Sequence, residues 1–484
     1  SFTSSQSSPT NAANITFSIV FSESISGFSN ADLVDMGTSG CSLRASLGAG
    51  TSLSVWADNC PAGTITPKIV AGAVSDAAGN TGPATDITSS ATITRDLTAP
   101  TVTAFTSTTA DGAYKAGTAV NVTATTSEPI RSGNTLTAVL DTGATVLLTA
   151  PTAGTTLSGT YTVSVGQDSQ DLTVSSFSVG TVLDTAGNAM ASTVVPGGAS
   201  NLGGSSAIVI DTTVPTVASF NSSQATPTQS TGFTYTLTFS EPVTGVSSTD
   251  IVNSGTATGC SFAPGADAGA IRSVAVSGCS EGTVVPKVLA AGVDDAAGNA
   301  GPSADATATT TIVRDVTAPT ITAFSSATPN GAYKASAGIA ITATASEAIG
   351  AGDTLTVTLD TGATVVLTAA SAGTALSGTY TVGAGDTSAD LTVTSFAIGA
   401  IADPAGNAMT STTVPSGASN IAGAKAIVID TTAPTVTSFT SAQSSPTGAA
   451  SFTYALAFSE SVTGVSAADF SNAGTATGCA FDPG

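Results

Sequence analysis

The chain has no histidine, one tryptophan, three methionines and only ten basic residues among 484. Without histidine there can be no Ser-His-Asp or Cys-His arrangement, so the usual activated nucleophiles are excluded and the chain reads as non-catalytic. The same absence removes the commonest ligand of zinc and copper centres. Charged residues are only 9% of the sequence and aromatics 5%, which leaves little material for long amphipathic helices with charged outer faces. No segment approaches the ~18 apolar residues of a membrane span, and no signal peptide is visible. No glycine-rich phosphate loop leads from a strand into a helix.

Thr, Ser, Ala, Gly and Val fill the chain, a mix suited to β-strands around small, tight cores. A mean hydropathy of +0.33 and regular alternation of apolar positions argue against disorder. The 32 acidic residues give a net charge of −22. Such a surface repels nucleic acid and anionic lipid and attracts divalent cations. Cys41 and Cys60 are 19 residues apart, as are Cys260 and Cys279, with no metal-finger pattern around them. Two disulfides are expected, which places the chain in an oxidising compartment. An equivalent partner for Cys479 would fall after Gly484, so the window reads as part of a longer array.

One pentapeptide organises the rest. It occurs as Asp96-Leu97-Thr98-Ala99-Pro100, Asp211-Thr212-Thr213-Val214-Pro215, Asp315-Val316-Thr317-Ala318-Pro319 and Asp430-Thr431-Thr432-Ala433-Pro434. Each follows an apolar strand and starts the next, as a joint between β-domains would. The internal repeat is 219 residues long, from Pro100 to Pro319 and from Pro215 to Pro434. Within it short and long units alternate: short at 1–95, long at 96–210, short at 211–314, long at 315–429, and the first half of a short one at 430–484. Alternating strands are clear in the short units at Ile15 to Phe21, Phe233 to Phe239 and Phe452 to Phe458, and in the long ones at Val120 to Ala124 and Ile339 to Ala343. Trp56, in a similar run, is assigned to the core. In the last long unit a hairpin joins Leu355 to Leu359 with Val365 to Leu367 through Asp360-Thr361-Gly362. About seven short strands per unit is the pattern of an immunoglobulin-like sandwich.

Four motifs recur in fixed order: the joint Asp-x-Thr-x-Pro-Thr, the strand end Phe-Ser-Glu (Phe239-Ser240-Glu241), the opening Gly-Ala-Tyr-Lys (Gly331 to Lys334) and the turn Asp-x-Ala-Gly-Asn. Together they resemble the bacterial immunoglobulin-like repeats of large surface and biofilm adhesins, over the whole chain. The resemblance implies a tandem, all-β rod at the cell surface or outside the cell, stiffened by calcium between domains.

The acids follow the same order. The turn places Asp76, Asp184, Asp295 and Asp403 before Asn80, Asn188, Asn299 and Asn407, and the second strand of each unit ends in Glu23, Glu128, Glu241, Glu347 or Glu460. In a sandwich the chain enters at the pole that also carries the loop after the second strand and the loop before the last. Four metal sites are therefore expected: Asp96, Glu128, Asp184 and Asn188; Asp211, Glu241, Asp295 and Asn299; Asp315, Glu347, Asp403 and Asn407; and Asp430 with Glu460. Glu23 and Asp76 are the corresponding acids of the first unit, and Asp294 is a further candidate beside Asp295. Oxygen ligands alone favour calcium over zinc or copper. Taken singly, the turn acids also suit a tight turn and the strand-end acids a solvated surface. The functional expectation is a calcium-rigidified adhesin stalk whose partners are its own neighbouring domains. The alternative is repeats that self-associate into an extracellular filament, sheath or surface layer.

Overall fold

The computed structural model describes residues 1–266 and 269–483, and it is a tandem of β-sandwiches. Apolar side chains gather into four separate buried clusters within residues 2–93, 102–210, 220–312 and 321–429.

In the second unit Val102–Thr106 pairs with Ala119–Ile130, which pairs with Gly154–Thr162. Thr135–Leu140 lies between Thr145–Thr149 and Val174–Val179. The closing strand Ile208–Ile210 runs parallel to Gly112–Tyr114. The hairpin strand Thr145–Thr149 meets the first layer only at Thr149 and Ser158, so one hydrogen-bonded ribbon folds over into two layers. Gly159 sits at this crossing. A Cβ there would run into the Leu147 carbonyl and the Leu148 side chain, which is why the strand carries no side chain at that point. Alternation supplies the core: Val120, Val122, Ala124 and Leu157 from one layer meet Leu136, Ala138 and Phe177 from the other. The fourth unit repeats this pairing, and Gly362 takes the positive φ (+85°) expected of its hairpin.

The short units differ. In the third, Val217–Asn221, Gly232–Phe239, Ile271–Ser277 and Ser261–Pro264 form one sheet. It faces a smaller sheet of Ile251–Asn253, Pro286–Val288 and Ala306–Thr307. Tyr235 is fully buried, and its hydroxyl donates to the carbonyls of Val284 (3.0 Å) and Thr310 (3.1 Å). Burial pushes its pKa up to about 12.

Both disulfides form, Cys41–Cys60 and Cys260–Cys279, each closing the base of a hairpin between neighbouring strands. A loop of this length stabilises its host by about 3 kcal/mol in the chain-entropy model. Reduction should therefore lower the unfolding free energy of the first and third units by about that amount and leave the second and fourth unchanged, as tryptic nicking followed by mass spectrometry can resolve.

Two expectations need correction. Trp56 is half-buried on the outer face of Gly50–Asp58, because Leu53, Val55 and Ala57 take the inward positions. The Arg44 guanidinium covers its ring at 4.6 Å. The run from Phe452 forms a strand only over Ala455–Phe458, paired with Val436–Thr440. No counterpart of Ile271–Ser277 flanks it among residues 430–483, so Phe452 and Tyr454 stay about half exposed.

Candidate metal centres at the joints

The joint backbone explains why the pentapeptide begins with Asp. The amides of Asp96, Asp211 and Asp315 donate to carbonyls of the preceding unit, those of Thr10, Tyr114 and Thr228, at 3.0, 3.1 and 3.0 Å. Their own carbonyls accept from the side-chain amides of Asn188, Asn299 and Asn407 in the following unit, at 3.0, 2.9 and 3.1 Å. Each joint aspartate is thus held from both sides. Its Oδ1 accepts the amide of the joint threonine (Thr98, Thr213 or Thr317) at 2.9–3.1 Å, a local turn that short acidic side chains favour. After the proline, the amides of Thr101, Thr216 and Thr320 donate to Ser127, Ser240 and Ser346 at 3.0 Å. That serine precedes the strand-end glutamate, so the same two-residue step that grips the joint aims Glu128, Glu241 and Glu347 back at it.

The turn Asp-x-Ala-Gly-Asn brings the third acid. Asp184, Asp295 and Asp403 are buried. Their Oδ1 atoms accept the amides of Asn188, Asn299 and Asn407 at 2.8 Å, and their Oδ2 atoms accept the same asparagines' side-chain amides at 2.7–2.8 Å. The tight-turn reading therefore holds as well. Each Asn amide group bridges the turn aspartate to the joint carbonyl, a tie that the sequence reading, which saw a ligand oxygen there, did not foresee.

Three acid groups result: Asp96 with Glu128 and Asp184, Asp211 with Glu241 and Asp295, and Asp315 with Glu347 and Asp403. In each, one oxygen from every residue lies within 4.8 Å of the others. Carboxylates at that spacing repel by about 3 kcal/mol per pair at an effective dielectric of 20. Burial first, and then the two neighbouring aspartates, raise the pKa of Glu128, Glu241 and Glu347. Glu128 and Glu347 each keep a buried Oε1 with no hydrogen-bond partner, the condition a cation would relieve. The donors are all oxygens. Each triad could hold a metal ion.

The remaining candidates are partial. Asp430 and Glu460 come together, with Glu460 raised by burial and by Asp430, and its Oε1 is buried and unpartnered. Glu23 and Asp76 line one shallow concavity with Phe21, Val74 and Asn80. Hydrogen bonds from Asn80 hold Asp76 below the ordinary carboxylate range. Asp294 is exposed and lies outside the triad of Asp295, because successive residues of the strand Val293–Asp294 face opposite ways.

A second contact spans each of these three joints and was not read from the sequence. The Asn11 amide donates to the Ala186 carbonyl (3.1 Å), the Lys115 ammonium to the Gly298 carbonyl (2.6 Å), and the Gln229 side-chain amide to the Gly406 carbonyl (2.8 Å). In each case a loop of one unit touches the acid-bearing turn of the next. The donor changes from backbone to ammonium to amide, so no shared residue type marked the position. Gly301 adds a steric contact at the second joint, since a Cβ there would strike Pro215.

Among the described residues no helix is long and apolar enough to cross a membrane. No protein-family model and no curated protein matches the chain.

Proposed function

We propose that the chain is a non-catalytic structural region of a large extracellular bacterial protein, the stalk of a cell-surface adhesin stiffened by calcium at its joints. The observation that carries this reading is the threefold recurrence of an acid triad built at the joint, where the linker aspartate is already bonded to both units. An ion there would fix the angle between neighbours without any further contact surface. Carboxylate and carbonyl oxygens in loops suit calcium, which accepts irregular coordination, better than magnesium, which demands a near-ideal octahedron. The two disulfides fit an oxidising compartment, and the recurring motifs resemble adhesin repeats. The partners in this reading are neighbouring domains of the same array.

Small-angle scattering tests it. Chelation should shorten the maximum dimension, and Asp211→Ala should give a smaller shortening in calcium, from one joint alone. An unchanged dimension after chelation would remove the calcium reading and leave a string of sandwiches. Regular lateral order in negative stain would replace the stalk with a surface layer or filament.

A further inference from the structure

The first and third joints both lead from a short unit into a long one, yet they differ in two charges. At the first, Arg131 donates to the Thr185 carbonyl of the acid-bearing turn (3.3 Å), where the fourth unit has Gly350; the third joint has an additional acid. Glu281 belongs to the third unit, in the stretch Cys279-Ser280-Glu281-Gly282; the first unit has Cys60-Pro61-Ala62-Gly63 at the same place. Glu281 Oε2 accepts the hydroxyl of Thr317 at 2.8 Å, and the amide of Thr317 donates to Asp315 Oδ1 at 3.1 Å. One threonine therefore fastens the carboxylate of the preceding unit beside the joint aspartate. Glu281 is not among the oxygens within 4.8 Å of one another, so it acts on the site through its charge. The site itself carries an independent mark: Glu347 Oε1 is buried there with no hydrogen-bond partner.

At the second joint the preceding unit also presents an acid, Asp168. Its Oδ1 accepts the amide (2.8 Å) and hydroxyl (3.3 Å) of Thr212. It is fastened to the residue directly after Asp211, whereas Glu281 is fastened to the threonine whose amide caps Asp315. The nearer comparison is between the first and third joints, where the cation Arg131 at one and the acid Glu281 at the other act in the same direction.

We propose that Glu281 reaches across the third joint to strengthen its cation site, so that this joint binds a divalent ion roughly tenfold more tightly than the first. The factor is the order of magnitude of Coulomb attraction between one unit charge and a nearby divalent ion in water. The inference rests on the reading of the joints as calcium sites and adds that they are graded. A falling calcium concentration would then loosen the first joint before the third.

The reciprocal swap tests it in the full chain. Each variant places at one unit the residue that its sister unit carries, so both are compatible with the fold. Calcium titration of the chelator-stripped protein by isothermal calorimetry should show one ion bound roughly tenfold more tightly than the weakest class. Glu281→Ala should loosen one binding class roughly tenfold, and Ala62→Glu should tighten one by a similar factor. Binding classes unchanged by Glu281→Ala overturn the inference and leave the joint sites standing. Absence of any bound calcium in the unmodified protein overturns both.

Discussion

Acidifying the metal-free protein from pH 7 toward pH 5 is expected to raise its thermal stability, whereas in millimolar calcium the highest stability is expected near neutrality. Glu128, Glu241, Glu347 and Glu460 all have pKa values raised from 4.5, first by burial and then by neighbouring aspartates. Between the unfolded value and the raised folded value, the folded protein binds more protons than the unfolded one. Stability therefore falls as pH rises through that window. A bound cation takes the place of the proton and removes the penalty. Asp76, Asp86, Asp305 and Asp469 behave oppositely. Hydrogen bonds lower their pKa from 3.8, led by Asn80, Lys68, Lys287 and Ser466 respectively. Their contribution is present above the unfolded value and is lost only as pH drops through the lowered one, so the two windows do not overlap. Calcium at a hundredfold excess over its dissociation constant would add about 2.7 kcal/mol per site, or roughly 10 °C for units of this size. Melting curves from pH 4.5 to 7.5, with chelator and with calcium, check both statements. Superimposed curves would refute the role of the triads.

Asp295→Ala should be the most damaging single change at a joint. Asp295 accepts the amides of Ala297 and Asn299 at 2.8 Å and the side-chain amide of Asn299 at 2.8 Å. Removing it leaves buried donors without partners, a loss of about 3 kcal/mol from the third unit even without metal. It also frees Asn299 from the position that holds the Asp211 carbonyl. Asp295→Asn separates the two roles: its amide oxygen can still accept the backbone donors, while the charge that a cation needs is gone. The expected order of stability in chelator is wild type, then Asn, then Ala. In calcium the gap between wild type and Asn should widen. Equal losses for Asn and Ala in both conditions would mean that the carboxylate serves only the turn.

The period, most of the strands and the acids were legible in residue order alone. Side chains alternate across a strand and glycine marks its turns, so local spacing carries those features without tertiary context. The convergence of Asp211, Glu241 and Asp295 was also legible, because sandwich topology assigns each loop to a pole whatever the side chains are. Trp56 was misplaced for a related reason. Alternation says that two faces exist, but the outward one carries an aromatic here because Arg44, on the neighbouring strand, lies over it. Only the tertiary structure showed that the asparagine amide ties the turn to the joint, and that Asn11, Lys115 and Gln229 do one task with three different donors. It alone placed Glu281 beside Asp315. These contacts join residues distant in the chain through single hydrogen bonds. Geometry selects such bonds, and many residue types satisfy them.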